Sequence, residues 1–232
     1  MHTLEELPAW ERLFKRIVWQ QIGALLGFRI LDFGSGEGVT ADHYAACNRV
    51  TAVEPSAEML AHAWNDHPYE QIVGDVSVLS KFEDGTFDFV ICHNVLEYVG
   101  DRPSVVNELA RVLKDGGRMS IVKHNRAGRI MQMAVLLDDM EKANALLDGK
   151  NSTASKFGEI RYYRDSDVHA WNSRLKPAEC FGIRTFWDLQ QKQDKHGQEE
   201  WQRGMMQLEM RVSRMEDYQH IAFFHHLVFI KV

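Results

Sequence analysis

A glycine-rich turn between an apolar strand and a helix is the feature that most constrains this fold. Residues 29–38 read RILDFGSGEG, where Asp32 ends the apolar run and a helical pattern begins near Val39. Glycines occupy alternate positions of the turn, at Gly34, Gly36 and Gly38. Because glycine has no Cβ, the backbone can approach a ligand there, and the helix start adds free N–H groups and partial positive charge. The pattern is typical of a nucleotide or nucleoside site, and it also fits an ordinary strand–helix turn.

Three further apolar segments end in polar residues, which favours the ligand site. The segment RVTAVE predicts a second strand that ends in Glu54, twenty positions after Gly34. An acid at that strand end is placed to accept two hydrogen bonds from a ribose diol. Asp75 follows a third apolar run, and FDFVICHN predicts a buried fourth strand that ends at His93. In a doubly wound sheet these strand ends meet at one crevice.

Together these segments resemble the class I methyltransferases that depend on S-adenosylmethionine (SAM). The similarity covers residues 30 to about 125 and includes LARVLKDGGR, which is similar to the family's helix after strand 4 and its Gly-Gly turn into strand 5. The loop reads G-x-G-x-G, whereas the dinucleotide fingerprint is G-x-G-x-x-G, and Asp32 would repel a pyrophosphate. The resemblance implies an α/β fold with a Rossmann-like seven-stranded sheet, an antiparallel last strand, and SAM as the cofactor.

The resemblance also implies a role for each strand end. Asp32 would lie near the methionine ammonium, and Glu54 would hold the ribose hydroxyls. Asp75 would accept a hydrogen bond from the adenine amino group, while the N–H of Val76 would meet a ring nitrogen. The implied cofactor-binding set from the four strands is Asp32, Gly34, Ser35, Gly36, Glu54, Pro55, Asp75, Val76 and His93.

Segments outside these motifs resemble the bacterial tRNA 5-carboxymethoxyuridine methyltransferases. They are GIRTFWD, Leu208 with Glu209, the run from Tyr163 to Asp165, CHNVLE, and Asn125 with Gly128. That family esterifies the carboxylate of a modified wobble uridine, so the resemblance implies tRNA as the methyl acceptor. The family's cofactor-carboxylate arginine has no direct counterpart, because Phe14 occupies the matched position. Arg12 and Arg16 share a helix face and are the alternatives for that role.

His93 and Arg184 are the candidate catalytic residues. His93 ends the fourth strand beside the expected sulfonium position and could act as the base for a hydroxyl or amine acceptor. A carboxylate acceptor needs no base, and His93 would then be a wall or a hydrogen-bond donor. Arg184, with Arg164 as the second choice, could pair with an anionic acceptor or an adjacent phosphate; a solvated basic face is the alternative.

Two insertions are expected to form a helical cap at the carboxyl edge of a single methyltransferase domain that spans residues 1–232. They are residues 126–164, after strand 5, and residues 188–218, after strand 6. Insertions at that edge normally select the substrate, although a cap can also serve only to bury core. Local patterns predict, in chain order, a helix over 8–27, a helix over 127–149, a loop over 151–158, strand 6 over 179–187, a helix over 189–217 and strand 7 over 221–232 at the sheet edge.

Composition sets the outer limits. With 232 residues, of which 45% are hydrophobic and 26% charged, the chain can bury a full core. It has no 18-residue apolar run and no signal-peptide pattern, so we expect no membrane association. Its three distant cysteines favour free thiols in a cytoplasmic protein. His225 and His226 alternate along a strand with no carboxylate at ligand spacing in the sequence, so we expect no metal.

Three functional hypotheses follow from the sequence. The first is a SAM-dependent methyltransferase that esterifies a carboxylate on a modified tRNA wobble uridine. The second is a methyltransferase for an oxygen or nitrogen of a small molecule, and the third is a SAM-binding regulatory protein without transferase activity. The net charge of −6 disfavours tight nonspecific binding of nucleic acid, so a tRNA acceptor requires a local basic surface.

Overall fold

The computed structural model describes residues 1–154 and 157–232. The strands of the described chain are β1 (Arg29–Phe33), β2 (Arg49–Glu54), β3 (Glu70–Val73), β4 (Phe87–His93), β5 (Leu113–His124), β6 (Ser152–Ala154), β7 (Gly158–Ile160), β8 (Leu175–Ile183) and β9 (Phe224–Lys231). The helices are α1 (Ala9–Ile22), α2 (Val39–Ala45), α3 (Ala57–Leu60), α4 (Arg102–Val112), α5 (Arg126–Met131), α6 (Met140–Leu147), α7 (Asp165–Trp171), α8 (Glu199–Val212) and α9 (Glu216–Gln219).

Seven of these strands form one sheet in the order β3-β2-β1-β4-β5-β9-β8. The first five run parallel, and β9 is antiparallel to both of its neighbours. The predicted Rossmann-like sheet with an antiparallel last strand is therefore confirmed. Because β8 runs in the same direction as the parallel strands, β5 and β8 both end at the carboxyl edge, where the two insertions begin.

The position of β9 differs from the sequence prediction. We predicted the last strand at the sheet edge, but it lies between β5 and β8, and β8 forms the edge. The physical reason is burial on both faces. Seven of the eight residues of β9 are buried, as expected of an interior strand, whereas β8 contains Pro177, which cannot donate a ladder hydrogen bond.

Helices cover both faces of the sheet. One face packs against α4 and α7, with Leu109 and Val168 in its core. The other packs against α1 and α2, with Ile17 and Ala41 in its core, and part of α8 joins this side. The apolar residues of α1 recur every three to four positions, as the sequence predicted, but the helix ends at Ile22, before Gly23, rather than at residue 27. Within residues 1–154 and 157–232, no helix is long and apolar enough to cross a membrane.

The first insertion is less regular than predicted. Instead of one helix over 127–149, α5 passes into a π-helical turn over Gln132–Leu136 and then ends. Asp138 adopts a left-handed φ of 51°, and α6 begins after Asp139, whose side chain accepts a hydrogen bond from Lys142 N–H at 2.9 Å. The left-handed backbone of Asp138 interrupts the helix, and the Asp139 carboxylate caps the start of the next one.

The predicted loop over 151–158 is also more ordered than expected. Strands β6 and β7 pair as an antiparallel hairpin, although Ser155 and Lys156 lie outside the described residues. The Ser152 hydroxyl lies 2.7 Å from the Tyr162 hydroxyl and connects the hairpin to the following segment. Polar residues without an apolar alternation gave no strand signal, because here cross-strand pairing and not burial forms the hairpin.

The two insertions contact each other. Gln132 Nε2 donates to Asp188 Oδ1 at 3.0 Å, and Gln191 Nε2 donates to the carbonyl of Val135 at 3.4 Å. These bonds join the π-helical turn of the first insertion to the start of the second. The long helix of the second insertion, α8, lies against α1, where Gln202 accepts a hydrogen bond from Arg12.

Gly128 tests the docking of α5 against the chain before β9. A Cβ at this position would lie 2.1 Å from the carbonyl oxygen of Ala222, a backbone atom that cannot swing away. We expect Gly128→Ala to lower the free energy of unfolding by about 1–3 kcal/mol, measured by urea denaturation. Gly204→Ala is the matched control, because its Cβ would meet nothing within 4 Å in α8. That control should be about 0.5–1 kcal/mol more stable than the wild type; equal stabilities of the two variants would contradict the close approach.

Candidate active site

The loop between β1 and α2 brings bare backbone to the carboxyl edge of the sheet. Gly34 and Gly36 have φ values of 76° and 58°, in the left-handed region that favours glycine. A Cβ on Gly34 would lie 2.3 Å from Cγ2 of Val95, which follows β4. Ser35 is buried, and its hydroxyl has no hydrogen-bond partner among the described residues. The loop is thus a narrow cradle that a side chain on Gly34 would fill.

Glu54 ends β2 and lies beside this loop, as the sequence predicted. One carboxylate oxygen accepts the N–H of Gly36 and the other accepts the N–H of Ser56, each at 2.9 Å. Glu54 is only 8% exposed, whereas Pro55, which lies between Glu54 and Ser56, is exposed. Each oxygen keeps a second lone pair, so the carboxylate can still accept from a diol.

Asp32 is a buried acid without full compensation. It is 3% exposed, and its Oδ2 has no hydrogen-bond partner among the described residues. Burial raises its pKa to about 7; the Lys15 ammonium opposes this shift, while the Glu54 charge adds to it. An unpaired buried oxygen of this kind is suited to the ammonium group of an amino acid. Asp32, the glycine cradle and Glu54 therefore fit the methionine and ribose parts of SAM.

The two arginines considered for the cofactor carboxylate make other contacts. Arg12 Nε donates to Gln202 of α8 at 3.1 Å. Arg16 pairs with Glu5 at 2.9 Å on an exposed part of the surface. Both side chains are thereby tied to neighbours outside the glycine loop.

Lys15 is the α1 cation that reaches the glycine loop, and the sequence analysis missed it. Its Nζ donates to Thr40 Oγ1 at 2.9 Å, at the start of α2. Burial lowers its pKa, and the nearby charges of Glu11, Asp32 and Glu37 oppose that shift. The sequence offered a signal for this contact. Lys15 directly follows Phe14, which is buried, and so lies at the edge of the buried face of α1.

Asp75 and Val76 lie at the end of β3. Asp75 Oδ1 accepts the N–H of Ser77 at 2.9 Å and so caps a short 3₁₀ helix over Val76–Lys81. Hydrogen bonds from Ser77 hold the pKa of the Asp75 carboxyl below its usual value. The carboxylate is exposed and ionised, with a second oxygen available to accept a hydrogen bond.

His93 begins a hydrogen-bonded chain that runs into the core. Its Nε2 lies 2.8 Å from Ser120 Oγ, which lies 2.8 Å from His226 Nε2. His226 Nδ1 in turn lies 2.9 Å from Gln21 Oε1 of α1. Burial, followed by the influence of His226 and Lys15, holds the pKa of His93 well below its usual value. His93 is therefore neutral at physiological pH, and one of its nitrogens is already engaged.

Arg184 is held in a buried ion pair. Its Nε donates to Asp188 Oδ2 at 2.8 Å, and its Nη2 bonds to the other oxygen. The guanidinium also lies 5.4 Å from the Trp10 ring centroid and 5.2 Å from that of Phe223. Arg164, the second choice from sequence, is exposed and bonds to an aspartate in the first turn of α7. Both arginines are thus paired with acids of their own neighbourhood.

Unpaired polar atoms gather at the carboxyl ends of β4 and β5. Buried atoms without a partner in the described chain include Asn94 Oδ1, Glu97 Oε2, His124 Nδ1 and Arg129 Nε. The other oxygen of Glu97 accepts the N–H of His124, and burial raises the pKa of Glu97 to about 7. Native proteins leave few buried polar groups unpaired, so this set makes the carboxyl ends of β4 and β5 a candidate ligand site. Sequence analysis did not single out His124 or Arg129.

One group of three possible metal ligands occurs among the described residues. Atoms of Asp165, Cys180 and His225 lie within 4.8 Å of one another, so a distant acid does approach His225. Lys123 Nζ already bonds to Asp165 at 2.8 Å. The two His225 nitrogens lie 2.7 Å from Asp165 Oδ2 and 2.9 Å from the carbonyl of Gln219. Asp165 and His225 therefore belong to a hydrogen-bonded cluster in which Lys123 supplies the positive charge.

Comparison with known proteins agrees with this geometry. Residues 31–121 match the family model described as "Methyltransferase domain". The tRNA 5-carboxymethoxyuridine methyltransferase of Escherichia coli (strain K12) is 27% identical, covering 89% of this chain and 84% of that protein. The chain therefore contains a methyltransferase domain. A ubiquinone biosynthesis O-methyltransferase of Xanthomonas oryzae pv. oryzae is 32% identical, over 48% of this chain and 49% of that protein.

Solved structures support the fold of this methyltransferase. A SAM-dependent methyltransferase from Mesorhizobium loti superposes with a TM-score of 0.58 at 16% identity, covering 99% of this chain and 100% of that one. One from Aquifex aeolicus gives 0.58 at 13% identity and covers 100% of both chains. At such identities the likeness concerns the fold alone.

We expect the raised pKa of Asp32 to make both the stability of the protein and its affinity for the cofactor depend on pH. Because its pKa is raised from 3.8 to about 7, ionising it costs folding free energy as pH rises between those values. We expect Asp32→Asn without cofactor to be more stable than the wild type at pH 8, by up to about 4 kcal/mol, and nearly equal at pH 4. Urea denaturation at both pH values measures this.

Replacing Asp32 should weaken the binding of SAM, although it stabilises the protein without cofactor. In the wild type, we expect SAM affinity to rise as pH increases from 5.5 to 7.5, because an ionised Asp32 would attract the cofactor ammonium and a protonated one would not. Asp32→Asn should bind SAM more weakly and without this dependence, as measured by calorimetry. A variant no more stable than the wild type at pH 8 would mean that Lys15 fully compensates the Asp32 charge.

Proposed function

We propose that this methyltransferase esterifies a carboxylate carried by a modified wobble uridine of tRNA. The observation that carries the proposal is the extent of the similarity to the E. coli tRNA 5-carboxymethoxyuridine methyltransferase. A match over 89% of the chain includes most of both insertions, residues 126–164 and 188–218, whereas the ubiquinone O-methyltransferase matches only 48%. We propose that these insertions, within one domain of 1–232, flank the acceptor and select it.

The cofactor site is proposed from the groups at the carboxyl edge. Lys15 and Asp32 form a pair of opposite charges that is complementary to the zwitterionic methionine end of SAM. Glu54 would accept from the ribose hydroxyls, and Asp75 with the N–H of Val76 would meet the adenine. When bound, SAM supplies an electrophilic methyl group on its sulfonium. Gly34, Ser35 and Gly36 would line the methionine, with Pro55 beside the ribose and His93 beside the sulfonium.

The protonation states of the site favour a carboxylate acceptor. A carboxylate is already deprotonated, so the protein has only to bind it, align it in line with the methyl group and exclude water. Alignment alone is worth roughly 7–11 kcal/mol of the barrier. His93 has one nitrogen bonded to Ser120 and a strongly lowered pKa, which suits a neutral wall better than a proton acceptor. Arg184 is proposed to shape the acceptor side through its ion pair with Asp188.

A small-molecule hydroxyl is the second candidate acceptor, and Glu97 is the observation in its favour. One oxygen of Glu97 is buried without a partner among the described residues, and burial raises its pKa to about 7. Such an acid can accept a proton near neutral pH. The partial match to ubiquinone biosynthesis O-methyltransferases agrees with this alternative. In that case the rate should rise with pH through 7, as Glu97 ionises.

Methyl-labelled SAM distinguishes the two candidates. We expect label to enter tRNA from E. coli cells that lack their own tRNA 5-carboxymethoxyuridine methyltransferase. The label should be released as methanol by mild alkali, because esters hydrolyse there whereas methyl ethers and methylamines do not. Incorporation should also fall steeply with salt, because phosphate contacts release counterions. Alkali-stable label in a small-molecule extract, with none in tRNA, would favour the hydroxyl acceptor instead.

Lys15 tests the proposed cofactor site. Lys15→Met removes the ammonium beside Asp32, so we expect SAM to bind about 10–100-fold more weakly by calorimetry, the usual range for a charged hydrogen bond. Arg16→Met is the matched control, because it removes an exposed cation of the same helix that pairs with Glu5. That control should bind SAM like the wild type. Loss of affinity in the control, with none in Lys15→Met, would return the carboxylate role to Arg16.

A further inference from the structure

Three cationic side chains surround His124 at the end of β5, and two of them are already neutralised. Lys123 bonds to Asp165 at 2.8 Å. Arg184 forms the two-pronged pair with Asp188. Their charges are therefore committed to the fold, since removing either partner would leave a buried charge uncompensated.

Arg129 is the third cation, and no carboxylate pairs with it among the described residues. Its Nη1 donates to the amide oxygen of Gln132, while its Nε is buried without a partner and its Nη2 makes no hydrogen bond within the described chain. Burial lowers the pKa of Arg129. The charges of Tyr162 and Asp188 oppose this shift from a distance, but no carboxylate of the described residues bonds to the open Nε–Nη2 edge. That edge offers two N–H donors that an acceptor carboxylate can use.

His124 lies beside Arg129 and stays neutral. Burial, then the charges of Arg129, Arg184 and Lys123, lower its pKa to about 3. Its Nδ1 is buried without a partner in the described chain. Phe223 contacts both groups, at 5.7 Å from the His124 ring and 5.8 Å from the Arg129 guanidinium. The neutral ring can add a hydrogen bond to an anion without adding positive charge beside three cations.

The backbone holds this pair rigidly at the carboxyl edge. Asn125 caps α5 by accepting the N–H of Ala127 at 3.2 Å. Its Nδ2 donates to the carbonyls of His220 and Ala222, at 2.9 and 2.8 Å. Gly128 lets the first turn of α5 touch Ala222. Arg129 therefore starts from a fixed backbone directly after β5, and such fixed positions suit the orientation of a reacting group.

We propose that Arg129, assisted by His124 Nδ1, binds the acceptor carboxylate and is the residue that selects an anionic acceptor. One carboxylate oxygen is held by Arg129, while the other attacks the methyl carbon of SAM. The new bond is O–C, the C–S bond breaks with its electron pair on sulfur to give S-adenosylhomocysteine, and no proton moves. The ester has lost the negative charge, so Arg129 releases the product. This inference rests on the proposed carboxylate acceptor.

Two synthetic anticodon stem–loops test the assignment. One carries 5-carboxymethoxyuridine at the wobble position, and the other carries neutral 5-methoxyuridine there. Dissociation constants are measured by fluorescence anisotropy in the presence of S-adenosylhomocysteine. We expect the wild type to bind the carboxylate RNA at least tenfold more tightly than the methoxy RNA. Arg129→Met and Arg129→Gln should bind both RNAs equally, and Arg129→Lys should keep part of the difference.

The controls separate this inference from the proposed function and from folding. Arg203→Met removes an exposed cation of α8 and should keep the full difference between the two RNAs. All variants should bind S-adenosylhomocysteine like the wild type by calorimetry, which shows that they are folded. A wild type that methylates the carboxylate RNA, together with Arg129 variants that keep the tenfold difference, overturns the inference alone. A wild type that neither prefers nor methylates the carboxylate RNA overturns the proposed function, and the inference with it.

Discussion

The site depends on the point where the sheet changes its direction of winding, between β1 and β4. Successive strands go outward from β1 to β3, and the chain then returns to place β4 on the other side of β1. Loops that follow these two strands must leave in opposite directions, so a crevice opens between their carboxyl ends. The glycine loop and the His93 end of β4 border that crevice.

Charge compensation separates the structural groups of the site from those that face a ligand. Arg184 and Lys123 are matched by acids in the fold, and Glu209 accepts three backbone N–H groups, from Thr185, Phe186 and Trp187, at 2.8 to 3.0 Å. Asp32, by contrast, keeps a buried oxygen without a partner in the described chain. Each buried polar group without a hydrogen-bond partner lowers the free energy of unfolding by about 1–3 kcal/mol. Several such groups at one edge of the sheet indicate that this edge is built for binding at the expense of stability.

In the proposed site, the insertions carry the acceptor side and the sheet carries the cofactor side. Gln132 links the two insertions by bonding to Asp188, and it also accepts from Arg129. The buried pair of Arg184 and Asp188 therefore supports Arg129 through one amide side chain. This arrangement gives the acceptor-side cation a fixed position without neutralising it. Arg184, which the sequence suggested for substrate contact, therefore supports Arg129 only indirectly, through Asp188 and Gln132.

The sequence by itself determined the sheet, the glycine loop and the acids at the ends of β1, β2 and β3, because these depend on local periodicity and on which residue follows each strand. Tertiary structure decided which cations remain unpaired. Lys15 rather than Arg12 or Arg16 reaches the loop, and Arg129 rather than Arg184 is left open, because pairing depends on approaches between segments far apart in the chain. The same physics placed β9 inside the sheet, since burial on both faces becomes visible only when the neighbouring strands are in place.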